Sequence, residues 1–349
     1  MKILISASNM VHINNFHLPY IEAFKSQGNE VYVLANGEGA DFNIAFKKRA
    51  FSLKNAFLAL KIRRIIKKEK FDIIYLHTTL CAFWLRLALK GLKNRPCVVN
   101  TVHGYLFGKA SSALHNRVYL ACEKLVRKQT DYIAVMNKED EIIAKENSLA
   151  LKEVFTIDGM GIDFAKKSIS KATPQSPAKK LVYVGELNKR KNQIFLVKAL
   201  KRLEGASLTL VGDGDQRKAI EKEIKRQGLE NRVTITGFTK DIDKYLSQAD
   251  AYVSASSIEG LPFNILEAMR ARLPIVASKI KGQQDLLPDE CLYELGDEDG
   301  FVKCLENLSQ PSYSLEKYEL GRVLSKNMEI YNNCMGKSTL QAVQPLKEV

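Results

Sequence analysis

Short apolar runs alternate with amphipathic stretches along most of the chain. In the first half the apolar runs fall at 2–7, 30–35, 72–77, 97–102, 132–136 and 154–157. In the second half they fall at 181–184, 207–211, 233–236, 251–254 and 274–277. Stretches with apolar residues at helical spacing lie between them, at 16–26, 193–203, 216–227, 243–247 and 263–270. Short β-branched runs separated by helical stretches predict parallel, doubly wound sheets covered by helices.

A polar segment interrupts this alternation near the middle of the chain. Residues 165–180, AKKSISKATPQSPAKK, are rich in Ser, Pro and Lys, which predicts a linker. A length of 349 residues also favours two domains, at roughly 150 residues each. We therefore predict an α/β protein with two Rossmann-like domains, at 1–164 and 181–320, that face each other across a cleft. The remaining residues, 321–349, are expected to form a helix or tail that crosses back to the N-terminal domain.

The composition is that of a globular protein, with 46% hydrophobic and 26% charged residues. No apolar run reaches the roughly 18 residues that a membrane span needs. The first residues, MKILISAS, resemble a strand rather than a signal peptide, so we expect a cytoplasmic protein. The six cysteines contain no C-x-x-C pair, which favours ordinary buried thiols over a zinc or redox site.

The positive charge is concentrated in one block. The net charge is +14, and residues 46–128 carry 19 Lys or Arg against 3 Asp or Glu. Such a block attracts nucleic acid, anionic lipid or phosphorylated substrates. Around Ile62 and Trp84, apolar and basic residues interleave in a way typical of interfacial helices, although surface helices in general also bury one face. Because no nucleic-acid recognition motif accompanies the charge, we expect an anionic membrane surface and no nucleic acid.

The first motif of the second half, GELNKRKN, follows the strand at 181–184. Gly185 would let the backbone approach a ligand. Lys189, Arg190 and Lys191 stand just before a helix, whose positive end repels cations unless an anion is bound there. A solvated run of basic residues is the alternative.

Two pairs of acidic residues could suggest a metal site but have a simpler interpretation. Asp213 and Asp215 follow a strand in LTLVGDGDQR, and Asp241 and Asp243 repeat the spacing. Carboxylates are calcium and magnesium ligands, yet the strand, turn and helix context favours helix capping. We therefore expect no metal site.

The segment SSIEGLPFNILEAMRARLPIVAS carries two acids with different predicted roles. Pro262 suits the first position of a helix, which leaves Glu259 in the preceding loop and Glu267 about one turn inside. Glu259 can accept hydrogen bonds from sugar hydroxyls, and Glu267 can hold a diol such as a ribose. The mouth of the loop and the anion-binding start of the helix comprise Gly260, Leu261, Pro262, Phe263 and Asn264.

Together these motifs resemble a known family. GELNKRKN, VGDGDQR, GFTKDIDKYLSQADAYVSAS and EGLPFNILEAM resemble the C-terminal half of glycosyltransferase family 4. HINNFHLPYIEAFKSQGNEVYVLAN, DIIYLHTTLCAFWLRLAL and TVHGYLFGK are similar to members that build bacterial capsular or extracellular polysaccharides. The resemblance covers nearly the whole chain. It implies the GT-B fold and transfer of a sugar from a nucleotide-sugar with retention of configuration, without a metal ion or other cofactor.

The resemblance also implies roles for individual residues. Glu259 engages donor-sugar hydroxyls and Glu267 the ribose, Lys191 binds the diphosphate, and His103 positions the donor sugar beside the reacting centre. Gly237 and Phe238 occupy the loop that borders the base.

Two positions depart from the family pattern. Glu186 stands where many members have Arg, so Lys189 or Arg190 substitutes, or the diphosphate site has a single cation. His12-Ile13-Asn14-Asn15 replaces a Gly-Gly turn. Because Asn tolerates left-handed conformations, we expect Asn14 and Asn15 to form a turn that presents N–H groups to phosphate. His12 and His17 either face the acceptor or line the first helix.

These points converge on one predicted function, with alternatives. We expect a retaining glycosyltransferase that moves a sugar from a UDP-sugar to a lipid-linked or oligosaccharide acceptor, on the inner face of the cell membrane. The acceptor would bind the basic N-terminal domain. Lys191, a second cation and the helix near Pro262 would stabilise the departing diphosphate. The alternatives are a sugar-nucleotide epimerase or hydrolase of the same fold, and a non-catalytic binding member, which Glu186 suggests.

Overall fold

The chain divides into two compact units. In this computed structural model the described residues are 1–47, 52–164, 179–308 and 312–336. One unit comprises the described residues of Met1–Gly161 and Lys317–Val349, and the other comprises those of Ile162–Glu316. The predicted linker at 165–180 lies almost wholly outside the described residues, as does the end of the predicted tail, 337–349.

The first unit is built on seven parallel strands. They are β1 Lys2–Ser6, β2 Glu30–Ala35, β3 Phe42–Asn43, β4 Ile73–His77, β5 Cys97–Thr101, β6 Tyr132–Val135 and β7 Glu153–Thr156. The sheet order is β3-β2-β1-β4-β5-β6-β7. The helices between the strands are α1 Met10–Phe16, α2 Leu18–Ser26, α3 Leu53–Glu69, α4 Thr79–Leu89, α5 Ala113–Val126 and α6 Lys138–Glu146. Ile3, Leu4 and Ile5 are all buried, as expected for a sheet covered on both faces.

The second unit repeats this plan with six parallel strands. They are β8 Lys180–Val184, β9 Ser207–Val211, β10 Val233–Gly237, β11 Ala251–Ser254, β12 Ile275–Ser278 and β13 Leu292–Tyr293, in the order β10-β9-β8-β11-β12-β13. Its helices are α7 Gln193–Leu200, α8 Arg217–Gln227, α9 Asp243–Gln248, α10 Phe263–Arg270 and α11 Glu298–Glu306. A short 3-10 turn lies at Asp289–Cys291 in this unit, another at Arg127–Gln129 in the first unit, and a third at Glu316–Tyr318, where the chain passes from the second unit to the first. The predicted α/β class with two parallel sheets is confirmed.

The last described helix, α12 Leu320–Cys334, belongs to the first unit. The buried Asn327 amide donates to the Tyr20 hydroxyl and to the Gly159 carbonyl, both at 2.9 Å. Gly161 lies so close to Leu320 that a Cβ there would approach its Cα to 2.7 Å. These contacts fasten α12 to α2 and to the chain that follows β7.

The basic block packs differently from the sequence expectation. On α4, Trp84 is buried, and the fully buried Arg86 guanidinium donates to both Glu123 carboxylate oxygens, at 2.8 and 3.0 Å. This helix is a core element, so an interfacial role for it is wrong. The periodic pattern could not show this, because it cannot reveal that a second helix supplies Arg86 with a buried partner.

The two helices that pack against α4 carry the exposed basic and apolar faces instead. On α3 the exposed apolar residues are Leu53, Phe57 and Leu60, which are 82%, 72% and 52% exposed. On α5 they are Leu114, Val118 and Leu125. Exposed basic residues share these faces, namely Lys54, Lys61, Arg64, Lys67 and Lys68 on α3, and Arg117 and Lys124 on α5. No described helix combines the length and hydropathy that a membrane span requires.

Candidate active site

The carboxyl ends of the central strands of the first unit gather histidines. His77 is the last residue of β4, and His103 follows β5. His12 lies on α1 and His17 stands between α1 and α2. Because β1, β4 and β5 are neighbouring parallel strands, the segments that follow them meet at one edge of the sheet. Four of the five histidines in the chain therefore form one group, which we call the histidine cluster (His12, His17, His77 and His103).

The rings of the histidine cluster are in direct contact. His77 Nδ1 and His103 Nε2 lie 3.2 Å apart, within hydrogen-bonding distance. The His17 and His77 rings lie with centroids 3.7 Å apart and planes tilted by 34°, and the His12 ring meets His103 edge-on at 4.7 Å. One ring nitrogen from each of His12, His17 and His103 lies within 4.8 Å of the other two.

Burial keeps these imidazoles neutral. It lowers the pKa of His12 to about 4 and lowers the pKa of His17, His77 and His103 well below the ordinary value of 6.5. Repulsion between the rings lowers the last three further. The Nε2 atoms of His12 and His17 are buried and have no hydrogen-bond partner among the described residues. At neutral pH the cluster therefore offers uncharged nitrogen donors and acceptors.

The backbone beside the cluster is strained. Thr78, directly after His77, has a φ of 66°, which is unfavourable for a β-branched residue. The Ser8 backbone N–H donates to the Thr78 hydroxyl oxygen at 2.9 Å, and the Ser8 hydroxyl lies 2.7 Å from it. These bonds tie the loop after β1 to the loop after β4. Strain held in place in this way is concentrated at functional sites in many proteins.

The predicted phosphate-binding turn at His12-Ile13-Asn14-Asn15 is wrong. These residues lie inside α1, where Asn14 and Asn15 have helical backbones and exposed side chains. The helix begins early because the Asn9 side chain accepts the His12 backbone N–H at 2.9 Å, which is a standard N-cap. The chain breaks at His17 instead, so the helix predicted at 16–26 begins at Leu18 as α2, and α1 is an additional helix before it. This break directs the His12 and His17 side chains into the cluster.

The second unit brings its predicted cations and one predicted acid together. Lys191 lies in the loop between β8 and α7, and Glu259 lies in the loop after β11. The strand order of the sheet reverses between β8 and β11. Lys191 Nζ is 2.5 Å from Glu259 Oε1, and the Arg190 guanidinium is 4.0 Å from Oε2. The Ser257 backbone N–H donates to the Arg190 carbonyl at 2.8 Å and holds the two loops together. Ligands of open α/β sheets bind at such reversal points.

Glu259 is ionised despite its burial. The residue is only 5% exposed, and burial by itself would raise its pKa. The positive charges of Lys191 and Arg190 and hydrogen bonds from Lys191 and Ser256 outweigh this effect, so its pKa is lowered. The site therefore holds a dry carboxylate neutralised by two cations.

Two glycines in VGDGDQR allow the loop after β9 to lie against the GELNKRKN loop after β8. A Cβ at Gly212, whose φ is 145°, would stand 2.0 Å from the Gly185 carbonyl oxygen. A Cβ at Gly214 would stand 2.3 Å from the Leu187 carbonyl oxygen. Only glycine permits this backbone contact, which places the loop after β9 beside the GELNKRKN loop.

The side chain of Glu186 is engaged away from the two cations that face Glu259. Its carboxylate accepts the Asn188 amide at 2.9 Å, and its carbonyl accepts the Gln193 amide at 2.9 Å. Lys189 is exposed to solvent. Of the three predicted cations, Arg190 and Lys191 are therefore the pair that the fold sets against Glu259.

The start of α10 lies where the sequence predicted it, with a small shift at Pro262. Pro262 is the capping residue, and the helix begins at Phe263. Asn264 donates its amide to the Val184 carbonyl at 3.1 Å and to the Tyr252 hydroxyl at 2.6 Å. This side chain thus fastens α10 to the end of β8, next to Gly185.

The other predicted donor residues frame this region. Gly260 and Leu261 are buried, and Glu267 is half-buried in the second turn of α10. Burial raises the pKa of Tyr252, and the charges of Tyr183, Glu267 and Glu259 add to this rise. At the end of β10, Gly237 has a φ of 76° and Phe238 is 79% exposed.

One residue of each acidic pair that resembled a metal site pairs with an arginine. Asp213 accepts from Arg217 at 3.0 Å and from the Gly214 N–H at 2.8 Å, and Gln216 is the capping residue of α8, so the predicted capping of α8 by Asp213 is wrong. Asp241 accepts the Lys244 backbone N–H at 3.4 Å at the start of α9, as the capping prediction expects. Asp243 pairs with Arg270. Within the described ranges, the group that can hold a metal ion is His12, His17 and His103.

His77 is the functional residue that sequence reasoning missed. It ends a predicted strand, and the next strand leads directly to His103. The rule that parallel strands share a carboxyl edge could have paired the two histidines, had the strand order been known.

Comparisons with known sequences identify the family of both units. Residues 20–156 match the sequence family described as Glycosyltransferase Family 4, and residues 178–310 match the family described as Glycosyl transferases group 1. Together the two matches span well over half of the chain.

Individual proteins are similar along most of their length. EpsD of Bacillus subtilis (strain 168), provisionally named a glycosyltransferase, is 29% identical over 331 residues, which is 88% of this chain and 87% of EpsD. The UDP-Gal:alpha-D-GlcNAc-diphosphoundecaprenol alpha-1,3-galactosyltransferase of Escherichia coli is 28% identical over 328 residues, 86% of this chain and 84% of that enzyme. The crystal structure of HepE from Anabaena in complex with UDP-glucose aligns with a TM-score of 0.72 at 19% identity, over 95% of this chain and 100% of HepE. At this identity the structural likeness concerns the fold.

Proposed function

The chain belongs to glycosyltransferase family 4, and on that premise we propose that it is a retaining transferase that moves a sugar from a UDP-sugar to a lipid-linked or oligosaccharide acceptor. The predicted family, the enzyme class and the GT-B fold are confirmed by the sequence matches and the structural likeness. The donor, the acceptor, the stereochemistry and a role in bacterial surface polysaccharide biosynthesis are our proposal. The observation that carries it is the buried Glu259 carboxylate, held by Lys191 and Arg190 at the strand-order reversal of the second unit.

This group suits a nucleoside diphosphate leaving group. Negative charge grows on the phosphate oxygens as the glycosidic bond breaks, and fixed cations in a dry site stabilise that charge. Lys191 and Arg190 are 12% and 39% exposed at their side chains, so a diphosphate can reach them without unfolding the loops. Because Arg190 supplies the second cation, Glu186 does not have to contact the phosphates. In this proposal no divalent ion is needed at the diphosphate.

The carboxylates are assigned to hydroxyl groups of the donor. Glu259 is ionised and can accept hydrogen bonds from donor-sugar hydroxyls. In this proposal Lys191 binds the phosphates in addition to, or in place of, the Glu259 carboxylate. Glu267, half-buried on α10, is assigned to the ribose diol. The exposed Phe238 ring, beside Gly237, offers a face against which a uracil ring can stack.

His103 is assigned to the donor sugar on the basis of the family resemblance. Its imidazole is neutral, so it can orient a sugar hydroxyl by a hydrogen bond without adding a positive charge. His77 restrains the His103 ring through the contact at 3.2 Å. No protein nucleophile is assigned, since the departing phosphate is proposed to deprotonate the acceptor on the same face.

The donor assignment is tested by ligand-induced stabilisation followed by transfer assays. A ligand present at 100 times its Kd stabilises the native state by about 2.7 kcal/mol, which a thermal-shift screen of nucleotide sugars detects. We expect UDP-sugars to raise the Tm of the wild type, and Lys191→Met to remove that rise. Lys201→Met, an exposed residue just after α7, is the matched control and should respond like the wild type.

Two results would overturn the proposal. One is a screen in which no nucleotide sugar raises the Tm. The other is conversion of the sugar nucleotide at full rate without any acceptor, which would identify an epimerase or hydrolase instead. Normal transfer by Glu259→Gln would contradict the role of that carboxylate.

The acceptor and membrane assignments rest on the first unit. The E. coli relative is named for a diphosphoundecaprenol-linked substrate, and an acceptor of this kind is held in a membrane. The exposed faces of α3 and α5 combine apolar side chains with Lys and Arg, which suits an anionic bilayer surface. We therefore assign membrane contact to α3 and α5 and not to α4.

Vesicle flotation tests this assignment. We expect the protein to float with vesicles rich in phosphatidylglycerol at low salt and less at high salt, because salt screens surface charges. Phe57→Glu should reduce flotation strongly. Ile142→Glu is the control, since Ile142 is also half exposed but lies on the acidic helix α6. Equal flotation of both variants and the wild type would exclude α3 as the contact surface.

A further inference from the structure

The histidine cluster contains more donor nitrogens than the proposed transfer reaction uses. That reaction assigns a role to His103 and a supporting role to His77. It leaves His12 and His17, whose buried Nε2 atoms have no hydrogen-bond partner among the described residues. A buried polar atom without a partner destabilises the fold, so such atoms call for a ligand.

We propose that His12, His17 and His103 form a binding site for a transition-metal ion of the Zn²⁺ type. One ring nitrogen of each lies within 4.8 Å of the other two. Zinc binds histidine nitrogen at about 2.0–2.1 Å, which in a tetrahedral site separates the nitrogens by about 3.3 Å. Modest rotations of three side chains close the remaining distance. Three histidines with an open fourth position are a known zinc arrangement.

The chemistry of the donors selects the class of ion. The group consists of imidazoles only, without a carboxylate. Mg²⁺ and Ca²⁺ require oxygen ligands, whereas imidazole suits Zn²⁺, Cu²⁺ and Ni²⁺. Neutral imidazole is the form that binds metal, and burial keeps these rings neutral. A bound ion would also provide a partner for the Nε2 atoms of His12 and His17, either in the present ring orientation or after the ring rotates by 180°.

His77 fits the role of a second-layer partner. Its Nδ1 contacts His103 Nε2 at 3.2 Å, and its ring contacts the His17 ring at a centroid distance of 3.7 Å. Outer partners of this kind fix the orientation of a ligating histidine, and losing one typically weakens metal binding by about 10–100-fold. The adjacent residue, Thr78, is fixed by hydrogen bonds with Ser8 at 2.9 and 2.7 Å.

Occupation of the site has a consequence for the enzyme, and this clause rests on the proposed function. A bound ion would hold His103 away from the donor sugar. Zn²⁺ would then inhibit transfer, and a chelator would restore it.

Direct binding to the full chain tests the site independently of catalysis. Protein without an affinity tag is treated with a chelator, desalted and titrated with ZnCl₂ by calorimetry, with CoCl₂ absorption as a report on nitrogen ligation. We expect one Zn²⁺ per chain. His12→Gln, His17→Gln and His103→Gln should each weaken binding at least tenfold. His115→Gln is the matched control, because His115 bonds to the Leu106 carbonyl at 2.8 Å outside the cluster.

The outcomes separate this inference from the proposed function. Absence of saturable Zn²⁺ binding, or wild-type affinity in all three cluster variants, overturns the metal site even if sugar transfer is normal. Stoichiometric binding lost in the cluster variants supports it even if no transfer is found. Circular dichroism of the metal-free variants establishes folding, and His12→Gln, half-buried on α1, serves if the fully buried His17→Gln does not fold.

Discussion

The ion pair between Lys191 and Glu259 allows a quantitative test of the site. The two side chains are 12% and 6% exposed, and Nζ and Oε1 are 2.5 Å apart. At an effective dielectric constant of about 20, that separation corresponds to an attraction of about 7 kcal/mol before desolvation is subtracted. Breaking a buried pair by removing one partner typically lowers stability by about 3–5 kcal/mol, because the other charge stays buried and unpaired.

We predict a strongly non-additive double-mutant cycle. Glu259→Gln leaves Lys191 and Arg190 facing each other, so we expect it to lower the free energy of unfolding by about 3 kcal/mol, and Lys191→Met by a similar amount. The double variant should lose much less than the sum, with an interaction energy of about 2–3 kcal/mol. The exposed pair of Glu141 and Lys145, 56% exposed at the lysine, is the control and should couple by about 0.5 kcal/mol or less.

Urea unfolding measures these energies. Far-UV circular dichroism follows the helices of both units, while the fluorescence of Trp84, the only tryptophan, reports on the first unit. We expect the variants to shift the dichroism transition more than the fluorescence transition. Effects of the two single changes that simply add in the double variant would refute the argument that a dry ion pair organises the two loops.

Three other perturbations test the packing around both units. Gly212→Ala places a Cβ 2.0 Å from a carbonyl oxygen, so we expect a loss of at least about 2 kcal/mol in urea unfolding, whereas Gly205→Ala, which faces open space at a φ of 69°, should cost only about 1 kcal/mol. Asn327→Ala removes two buried donor bonds, and we expect about 2 kcal/mol of lost stability and release of α12 by limited proteolysis; an unchanged cleavage pattern would contradict its fastening role. Burial would raise the pKa of Asp131, but hydrogen bonds and the charge of Arg95 outweigh it and lower this pKa. The contribution of Asp131 to stability is therefore complete above the unfolded pKa of about 3.9 and is lost as pH falls below that value. Asp131→Asn should flatten this acid limb of a curve of unfolding free energy against pH.

Local sequence was a reliable guide to the elements and to the second unit. The helix predicted at 263–270 is α10, and the strands predicted at 30–35, 207–211 and 251–254 are β2, β9 and β11. These elements could be predicted because β-branched runs, capping residues and glycines act over a few neighbouring residues. The close backbone approach at Gly212 was also predictable, since a glycine after a strand has few other structural uses; anion binding by the cations before α7 stays a prediction.

Predictions that depended on a distant partner fared worse. The interfacial role of Trp84 and Arg86 fails because Glu123, on another helix, neutralises Arg86 inside the core. The turn expected at Asn14 and Asn15 is a helix because the Asn9 side chain caps it. The expected turn came from the family resemblance, whereas the capping residue lies five residues earlier in the chain. The amphipathic pattern of α4 correctly predicts a helix. A periodic pattern does not show whether its apolar face packs against the protein core or against a membrane.

The sequence by itself determined the α/β class, the family and the residue types at the donor loops, because these follow from short-range patterns and motif spacing. Only the tertiary structure decided that Lys191 bonds to Glu259, that Arg190 is the second cation, and that four histidines meet. Strand order sets which carboxyl ends are neighbours, and burial sets which of the assembled groups keep a charge. In the sequence His77 is a single polar residue at the end of a predicted strand. The pairing of β4 with β5 in the folded sheet places it against His103.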